Sequence, residues 1–323
     1  MSDVGEQVFE KNYTTTQLLR DVWHFLSPYK GKVIFATIAR LLGDLAWLYP
    51  AWALALTIAF CAGWKSGDSL GPIWMIFGLW ILATVTRLVG QFCARIFGFA
   101  AGERAALDAQ AQFIKQLFAL DMSWHERENA GNKMKRIERG SDAIDRLLRI
   151  WINSAIEVGV NLIGTVVIIA FVDRTIGVIT GIFIGVYSVM SWYLLKKARA
   201  AAQQVNAKEE ELSGAMFEGA NNIRTVKVLG MSSSITTKIH RITAEVFDRV
   251  KHRIFRFQTR TIVLGSWSNG FKLAVLLAIV FGITRGYYGV SFLIVFNMYF
   301  GRVNESVSEL SDNVQDFILA KLA

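Results

Sequence analysis

The sequence has little proline, little cysteine and little charge. Its 323 residues include three prolines and two cysteines, and 19% of them are charged while 53% are hydrophobic. Collagen-like chains need many prolines, disulfide scaffolds need many cysteines and disordered chains have few hydrophobic residues, so these three classes are excluded. Ordinary globular domains carry about 25% charged residues. The composition therefore favours a membrane protein.

Long uncharged runs occur where a soluble protein would carry charges. A membrane-crossing helix needs about 20 mostly apolar residues, and Leu45–Trp64 and Ile176–Leu195 are each 20 residues without a charge. The last run, Gly286–Gly301, has 16 uncharged residues and must continue past Arg302 to cross, so five spans with a re-entrant segment are the alternative to six. The expected spans are about 33–63, 71–102, 150–172, 176–195, 262–283 and 286–308.

Basic residues predict the orientation of these spans, because Lys and Arg are retained on the cytoplasmic side. The three short links hold three basic residues, whereas the two long connections, 103–149 and 196–260, hold 22. We therefore expect both termini and both long connections to be cytoplasmic in a multi-pass protein of the plasma membrane, the inner membrane of a bacterium. Anionic lipid headgroups account for the net charge of +9 without a nucleic-acid partner. The polar first 32 residues indicate no cleaved signal peptide.

Both long connections are expected to be helical hairpins. No proline follows Pro72, and apolar residues recur at helical spacing along both connections. Before the first span, the sequence predicts an amphipathic helix at the membrane interface, with one apolar face formed by Leu18, Leu19, Val22, Trp23 and Leu26. The predicted fold is an all-α membrane protein. Residues 1–32 form a tail and an interfacial elbow helix, and residues 33–323 form a domain of six long transmembrane helices with two cytoplasmic helical hairpins.

Two segments at the expected hairpin tips carry a family pattern. Phe118–Glu126 and Phe217–Gly230 resemble the intracellular loops in the transmembrane domain of ABC exporters, and the resemblance covers roughly 14–323. In that family the tips carry coupling helices that dock into grooves of the nucleotide-binding domains, which here implies coupling helices near 122–129 and 221–228. The implied coupling residues are Ser123, Trp124, His125, Glu126, Asn222, Ile223 and Arg224.

The sequence lacks the phosphate loop of a nucleotide-binding domain. No GxxxxGK[ST] pattern is present, and the Gly-Lys pair Gly31-Lys32 is followed by Val33. We therefore expect no enzyme activity and no cofactor in this chain. ATP and Mg would bind to a nucleotide-binding domain that either continues beyond Ala323, which would make this a truncated sequence, or belongs to a separate polypeptide. Helical character up to Ala323 favours truncation.

The resemblance also implies partners. These are membrane lipid, a second copy or a homologous half in a dimer, the nucleotide-binding domain, and an unidentified substrate of amphipathic, lipid or peptide type.

Polar residues inside the spans are candidates for a substrate pathway, because such groups are costly in hydrocarbon and usually face a cavity or a partner. One interpretation is a hydrophilic translocation cavity, whose excess of positive charge hints at an anionic or amphipathic substrate. The other is mutual pairing, of Glu157 with Arg87 or Arg95, and of Arg40 with Asp44, where pairing is favoured. The candidate cavity residues are Arg87, Gln91, Arg95, Asn153, Glu157, Asn161, Asn269, Lys272 and Asn297.

Three glycines at four-residue spacing, Gly177, Gly181 and Gly185, predict close packing of the fourth span against another helix.

Other classes of membrane protein agree less well with the sequence. An ion-coupled secondary transporter typically has paired helix interruptions near the midplane, which the sequence does not predict, and the long hairpins would have no purpose in it. A membrane-embedded enzyme would need a nucleophile or metal ligands within the spans. All four histidines lie outside them, so no metal site is expected. A non-catalytic membrane scaffold is the remaining alternative.

Overall fold

The chain is built from helices, which confirms the all-α prediction. The computed structural model describes residues 15–121 and 130–322, and within these ranges the regular secondary structure is entirely helical. A 3-10 turn, Ser27–Tyr29, joins the first two helices, and a π-helical turn, Trp151–Ala155, joins the fifth and sixth. The helices are α1 (Thr15–Leu26), α2 (Lys30–Ala46), α3 (Tyr49–Gly63), α4 (Gly71–Phe118), α5 (Ala130–Ile150), α6 (Ile156–Val172), α7 (Arg174–Asn221), α8 (Ile223–Val228), α9 (Ser232–Thr284) and α10 (Val290–Leu322).

Five helical stretches in the described part of the chain are long and apolar enough to cross a membrane, as expected for a multi-pass membrane protein. The sixth expected span lies in α10, a single helix of 33 residues that continues through Arg302. At about 1.5 Å per residue this helix is about 50 Å long, which exceeds the thickness of the hydrocarbon core. The five stretches are Thr16–Gly63, Gly71–Phe118, Lys133–Val172, Arg174–Asn221 and Ser232–Thr284.

The described residues divide into two compact units. The first unit comprises the described parts of 1–180 and 276–323, and the second comprises 181–275. Helices α7 and α9 each contribute one end to the first unit and the remainder to the second.

In the first unit, α1 buries one apolar face. Leu26 is buried in a cluster that includes Ile144 of α5 and several alanines of α4, and Val22 lies against the same cluster. Leu19 and Trp23 are about half exposed. An amphipathic helix that keeps a leucine and a tryptophan exposed suits a position at a membrane interface.

A stripe of small residues allows α4 to lie close to its neighbours in the first unit. The closest approach of α4 to the backbone of another helix is at Gly90, which faces Ala39 and Gly43 of α2. A Cβ placed on Gly90 would lie 2.5 Å from the carbonyl oxygen of Ala39 and 3.2 Å from Gly43 Cα. Both atoms belong to the backbone, so no side-chain rotation can make room for a methyl group. The buried small residues of α4 are Ala83, Gly90, Ala94, Gly98, Ala101, Gly102, Ala105, Ala106 and Ala109.

A hydrogen bond joins two of the short links of the first unit. Asp173, the single residue between α6 and α7, accepts a hydrogen bond from the Ile176 backbone at 2.8 Å and another from the Tyr288 hydroxyl at 2.6 Å. The Tyr288 hydrogen bond lowers the pKa of the Asp173 carboxyl group. Because Tyr288 precedes α10, this contact ties the α6–α7 link to the α9–α10 link.

The second unit is an antiparallel helical hairpin with α8 at its turn. Three contacts join α7 to α9, and from one contact to the next the residue number on α7 rises while the number on α9 falls. The two helices are therefore antiparallel and keep one register along the hairpin. The contacts are a Phe183–Phe271 ring stack with centroids 4.2 Å apart, a 3.0 Å hydrogen bond from Arg249 Nη1 to Gln204 Oε1, and a 2.8 Å ion pair between Lys208 Nζ and Glu245 Oε2.

The Gly43–Gly90 approach predicts opposite effects for two glycine substitutions in α4. Alanine stabilises a helix interior by about 1 kcal/mol relative to glycine. At Gly90 the added methyl group would meet backbone, so Gly90→Ala is expected to lower the free energy of unfolding by about 1–3 kcal/mol. A Cβ placed on Gly78 would have no atom of the described residues within 4 Å, so Gly78→Ala should preserve or raise stability. Unfolding in mixed micelles measures both, and equal stability of the two variants would contradict the packing.

Candidate functional site

Four charged side chains form an ion network in the first unit. The Arg40 and Asp44 side chains are each 1% exposed, and Arg40 Nε lies 2.8 Å from Asp44 Oδ2. Arg40 also contacts one carboxylate oxygen of Glu157 on α6, and the other oxygen lies 3.1 Å from Arg87 Nη2 on α4. Two guanidinium and two carboxylate groups carry no net formal charge. The network therefore joins α2, α4 and α6 while compensating each buried charge.

A π-helical turn precedes the network on the α5–α6 segment. Trp151–Ala155 adopt this wider winding immediately before α6, whose second residue is Glu157. The Asn153 carbonyl in this turn accepts a 3.1 Å hydrogen bond from Arg40 Nη2. An inserted π turn changes the direction in which the following residues face, and such turns are frequent at functional sites. Here the turn and the start of α6 both contact Arg40.

The first span is interrupted between α2 and α3, two residues before Pro50. Proline has no N–H group, so a helix that passes through it loses a backbone hydrogen bond. Two groups of α10 donate to carbonyl oxygens at the interruption. Arg302 Nη1 donates to the Trp47 carbonyl and the Tyr299 hydroxyl donates to the Leu48 carbonyl, each at 2.6 Å. Side chains of α10 thus donate hydrogen bonds to backbone carbonyls of the interrupted span. A broken span needs such donors, because hydrocarbon offers no water to replace them.

The Trp47 ring is contacted by two cations. The Arg87 guanidinium lies 4.1 Å from the centre of the indole ring, and the Arg302 guanidinium lies 5.2 Å from it. Cation–π attraction is strongest where the groups are removed from water. Trp47 therefore connects the ion network, through Arg87, to α10, through Arg302.

The predicted cavity residues fall into three groups. Arg87 and Glu157 pair with each other, and Asn153 contributes its carbonyl to Arg40. Asn161 is buried and donates from Nδ2 to Ser306 Oγ at 3.2 Å, which joins α6 to α10. In the described structure Gln91 and Lys272 are half-buried, whereas Arg95, Asn269 and Asn297 are exposed. Asn269 and Lys272 belong to the second unit.

These positions bear on the two interpretations of the polar residues. Arg40 pairs with Asp44 and Glu157 pairs with Arg87, as the interpretation of mutual pairing expects. Arg95, which the sequence offered as an alternative partner of Glu157, is exposed. In the first unit the side chains of Gln91, Arg95, Asn153 and Asn297 are outside these pairs, and the cavity lining stays a prediction.

The three glycines of the fourth span have different surroundings. Gly177 is buried, and a Cβ placed on it would lie 2.5 Å from Ala170 Cα, so α7 begins in close contact with the end of α6. Gly181 is half-buried and Gly185 is exposed in the described part of the chain.

The turn of the second unit contains the second set of predicted coupling residues. Asn222 precedes the short helix α8, which begins with Ile223 and Arg224. Val226 is buried, whereas Ile223 is 52% exposed, Val228 78% and Leu229 63%. The turn therefore presents apolar side chains to its surroundings. The first set, Ser123, Trp124, His125 and Glu126, lies outside the described residues.

Sequence reasoning missed several members of the site. Trp47 and Tyr299 were not singled out, and neither was the close approach of Gly43 to Gly90. Pro50 was the available signal for the interrupted span, because a proline inside an apolar run marks a helix boundary or kink.

Most of the chain is similar to a known family of membrane regions. Residues 33–307 match the family model for the ABC transporter transmembrane region. The chain is 19% identical over 279 residues to the ATP-dependent lipid A-core flippase of Yersinia pestis bv. Antiqua (strain Antiqua), a match covering 83% of this chain and 45% of that protein. It is 19% identical over 261 residues to the flippase of Escherichia coli (strain K12), covering 80% and 42%.

A further relative is named for a different function. Over 145 residues the chain is 25% identical to the mesentericin transport/processing ATP-binding protein MesD of Leuconostoc mesenteroides, covering 45% of this chain and 19% of that protein. The chain spans less than half the length of each of these relatives.

The ion network predicts that Glu157→Gln destabilises the first unit. Removing one partner of a buried ion pair costs about 3–5 kcal/mol, and since Glu157 is 24% exposed we expect about 3 kcal/mol. Adding Arg87→Gln to the same chain should restore part of the lost stability, because it removes the guanidinium that Glu157→Gln leaves without a carboxylate partner. Glu210→Gln, at an exposed position of α7, is the matched control. The free energies of unfolding of Glu157→Gln, Arg87→Gln, the double variant and Glu210→Gln test this, and additive effects of the two single substitutions would contradict the network.

Proposed function

This chain belongs to the ABC transporter transmembrane region family, and we propose that it forms the membrane domain of an ATP-driven exporter. The names of its relatives, an ATP-dependent lipid A-core flippase and a mesentericin transport protein, support export of an amphipathic, lipid or peptide substrate. Since the chain spans 45% of the flippase, the proposal assigns ATP and Mg binding to a nucleotide-binding domain outside these 323 residues.

The observation that carries the proposal is the short helix at the turn of the second unit. Exposed Ile223, Val228 and Leu229 form an apolar surface, of the kind that marks a contact with another protein. We assign this surface to the nucleotide-binding domain, with Asn222, Ile223 and Arg224 as coupling residues. The tip around 122–129 would supply the second contact.

Continuous helices connect the proposed contact to the spans. α7 has 48 residues and α9 has 53, so they are about 70 and 80 Å long, more than twice the length needed to cross a bilayer. ATP-driven movement at α8 would therefore reach the spans without passing through a flexible loop. The two termini and both hairpins are cytoplasmic in this proposal, and a second copy or a homologous half completes the pathway.

Within the membrane the ion network would act as a clamp. Because Arg40, Glu157 and Arg87 tie α2, α4 and α6 together, these helices would move as one body when the pathway alternates between inward and outward access. The substrate would then contact residues outside the network, such as Gln91, Arg95 and Asn297. The excess of positive charge among these residues favours an anionic or amphipathic substrate.

The proposed orientation is tested by cysteine labelling. With Cys61 and Cys93 replaced by alanine, Ser66→Cys and Ser233→Cys place matched single thiols at two exposed positions. A membrane-impermeant maleimide applied to intact cells should label the first, in the α3–α4 link, because that link is external in the proposal. The second, at the start of α9, should be labelled only after permeabilisation. The reverse pattern would contradict the orientation.

The coupling assignment is tested at Ile223. Ile223→Ser should lower the ATP hydrolysis of the whole transporter, purified from its native membrane and reconstituted in liposomes, by about tenfold, because removal of an apolar interface anchor typically costs over 1 kcal/mol. Met216→Ser removes a side chain of similar exposure two turns away on α7 and serves as the control. Wild-type hydrolysis in both variants would contradict the assignment.

A further inference from the structure

Two arginines of the second unit have buried donor groups without a partner among the described residues. The register of the hairpin places Arg260 of α9 opposite residues 193–194 of α7, about 8 Å along the helix axis from Arg199. Side chains in a helix lean toward its N-terminus, so in this antiparallel pair the two arginines extend toward each other, and their positive charges repel. Arg199 Nε and Nη2 and Arg260 Nε are buried and make no hydrogen bond to any described residue. Two like charges with buried, unsatisfied donors are unfavourable, and such groups are normally compensated.

The two arms of the hairpin contain no acid that could compensate them. No Asp or Glu occurs from Arg174 to Lys208 on α7 or from Arg249 to Thr284 on α9. The first acids beyond these stretches are Glu209 and Asp248. They lie ten residues from Arg199 and twelve from Arg260, about 15 and 18 Å along the helix axes. Neither can reach the arginine on its own helix.

Several neighbouring cations of the same hairpin have partners within it. Lys208 pairs with Glu211 and Glu245, Lys251 pairs with Asp248, Arg249 donates to Gln204, and Arg256 donates to His252. The Arg199–Arg260 pair thus differs from nearby charges that the chain satisfies internally.

The surroundings of Arg199 match the depth of lipid headgroups. Trp192 and Tyr193 are exposed, and the ammonium groups of Lys196 and Lys197 lie over their rings at 5.8 and 4.4 Å. Exposed Trp and Tyr next to Lys are typical of a membrane–water interface. Arg199 follows Tyr193 by six residues, about 9 Å along α7. Lipid phosphates lie in this layer just outside the hydrocarbon core.

We propose that Arg199 and Arg260 together form a binding site for a phosphate group, which an anionic lipid headgroup or free inorganic phosphate would supply. A guanidinium presents paired donors whose geometry matches phosphate oxygens, and two such groups neutralise one anion from both helices of the hairpin. The site does not depend on the export function, because it requires only the second unit and an anion.

The experiment measures the melting temperature of the full chain, delipidated in a neutral detergent, as three compounds are titrated separately. These are short-chain phosphatidylglycerol, short-chain phosphatidylcholine and inorganic phosphate. A ligand that binds only the folded protein raises Tm as its concentration passes Kd. We expect a saturable rise with phosphatidylglycerol that phosphatidylcholine does not match. An equal rise with inorganic phosphate would identify free phosphate as the source, and a rise with the lipid alone would identify the headgroup.

Substitutions then locate the effect. Arg199→Gln and Arg260→Gln should each weaken apparent binding by about tenfold or more, because each removes charged hydrogen bonds to the anion. Lys197→Gln removes the same charge from an exposed position two residues away and should change Kd less than twofold. Arg199→Lys keeps the charge without the paired donors, so its Kd should fall between those of wild type and Arg199→Gln.

The melting temperature of the variants without anion distinguishes a binding site from a structural role of the two arginines. If the arginines await a ligand, Arg199→Gln and Arg260→Gln should preserve or raise Tm in the absence of anion, because each relieves repulsion between like charges. A lower Tm in anion-free detergent would overturn the proposal. So would the absence of a saturable rise with both phosphatidylglycerol and phosphate, or an equal loss of binding in Lys197→Gln.

Discussion

Charge removed from water must be compensated within the protein, and the first unit depends on this constraint. Arg40 and Asp44 are each 1% exposed, and an uncompensated ion at such a site would cost several kcal/mol even after relaxation. Glu157 compensates Arg40 and Arg87 at once. Because these groups come from α2, α6 and α4, the charges can be matched only when all three helices take their observed positions. Electrostatics here selects one arrangement among the many that apolar packing alone would allow.

Close backbone packing makes that arrangement possible. Helices in lipid gain little from burying apolar side chains, so they associate where small residues let backbones approach. The Gly43–Gly90 contact lies within one turn of Asp44 on α2 and of Arg87 on α4. It therefore holds together the two helices that carry three of the four charges. The interrupted span and Trp47 extend the same assembly to α10 through Arg302.

The sequence predicted the helical class and the presence of several long apolar helices, because long uncharged runs and scarce proline are local properties. It also raised the pairing of Arg40 with Asp44, one turn apart on a helix, and of Glu157 with Arg87. It could not choose Arg87 over Arg95 as the partner of Glu157, since that choice depends on how α4 is rotated against α6 and on the π turn before Glu157. The contact of Trp47 with Arg302 joins residues more than 250 positions apart, and no periodicity reports such a pairing.

Compensation of charge has a different outcome in each unit. In the first unit Arg40 and Arg87 meet carboxylates of the same chain, and the network is neutral. In the second unit Arg199 and Arg260 have buried donor groups without a partner among the described residues, on two helix segments from which acids are absent. A single Asp or Glu one turn from either arginine would have neutralised it at little cost to helix formation. A chain that pairs its arginines internally in one place and keeps acids away from them in another has the charge distribution that the proposed clamp of the first unit and the proposed anion site of the second would each require.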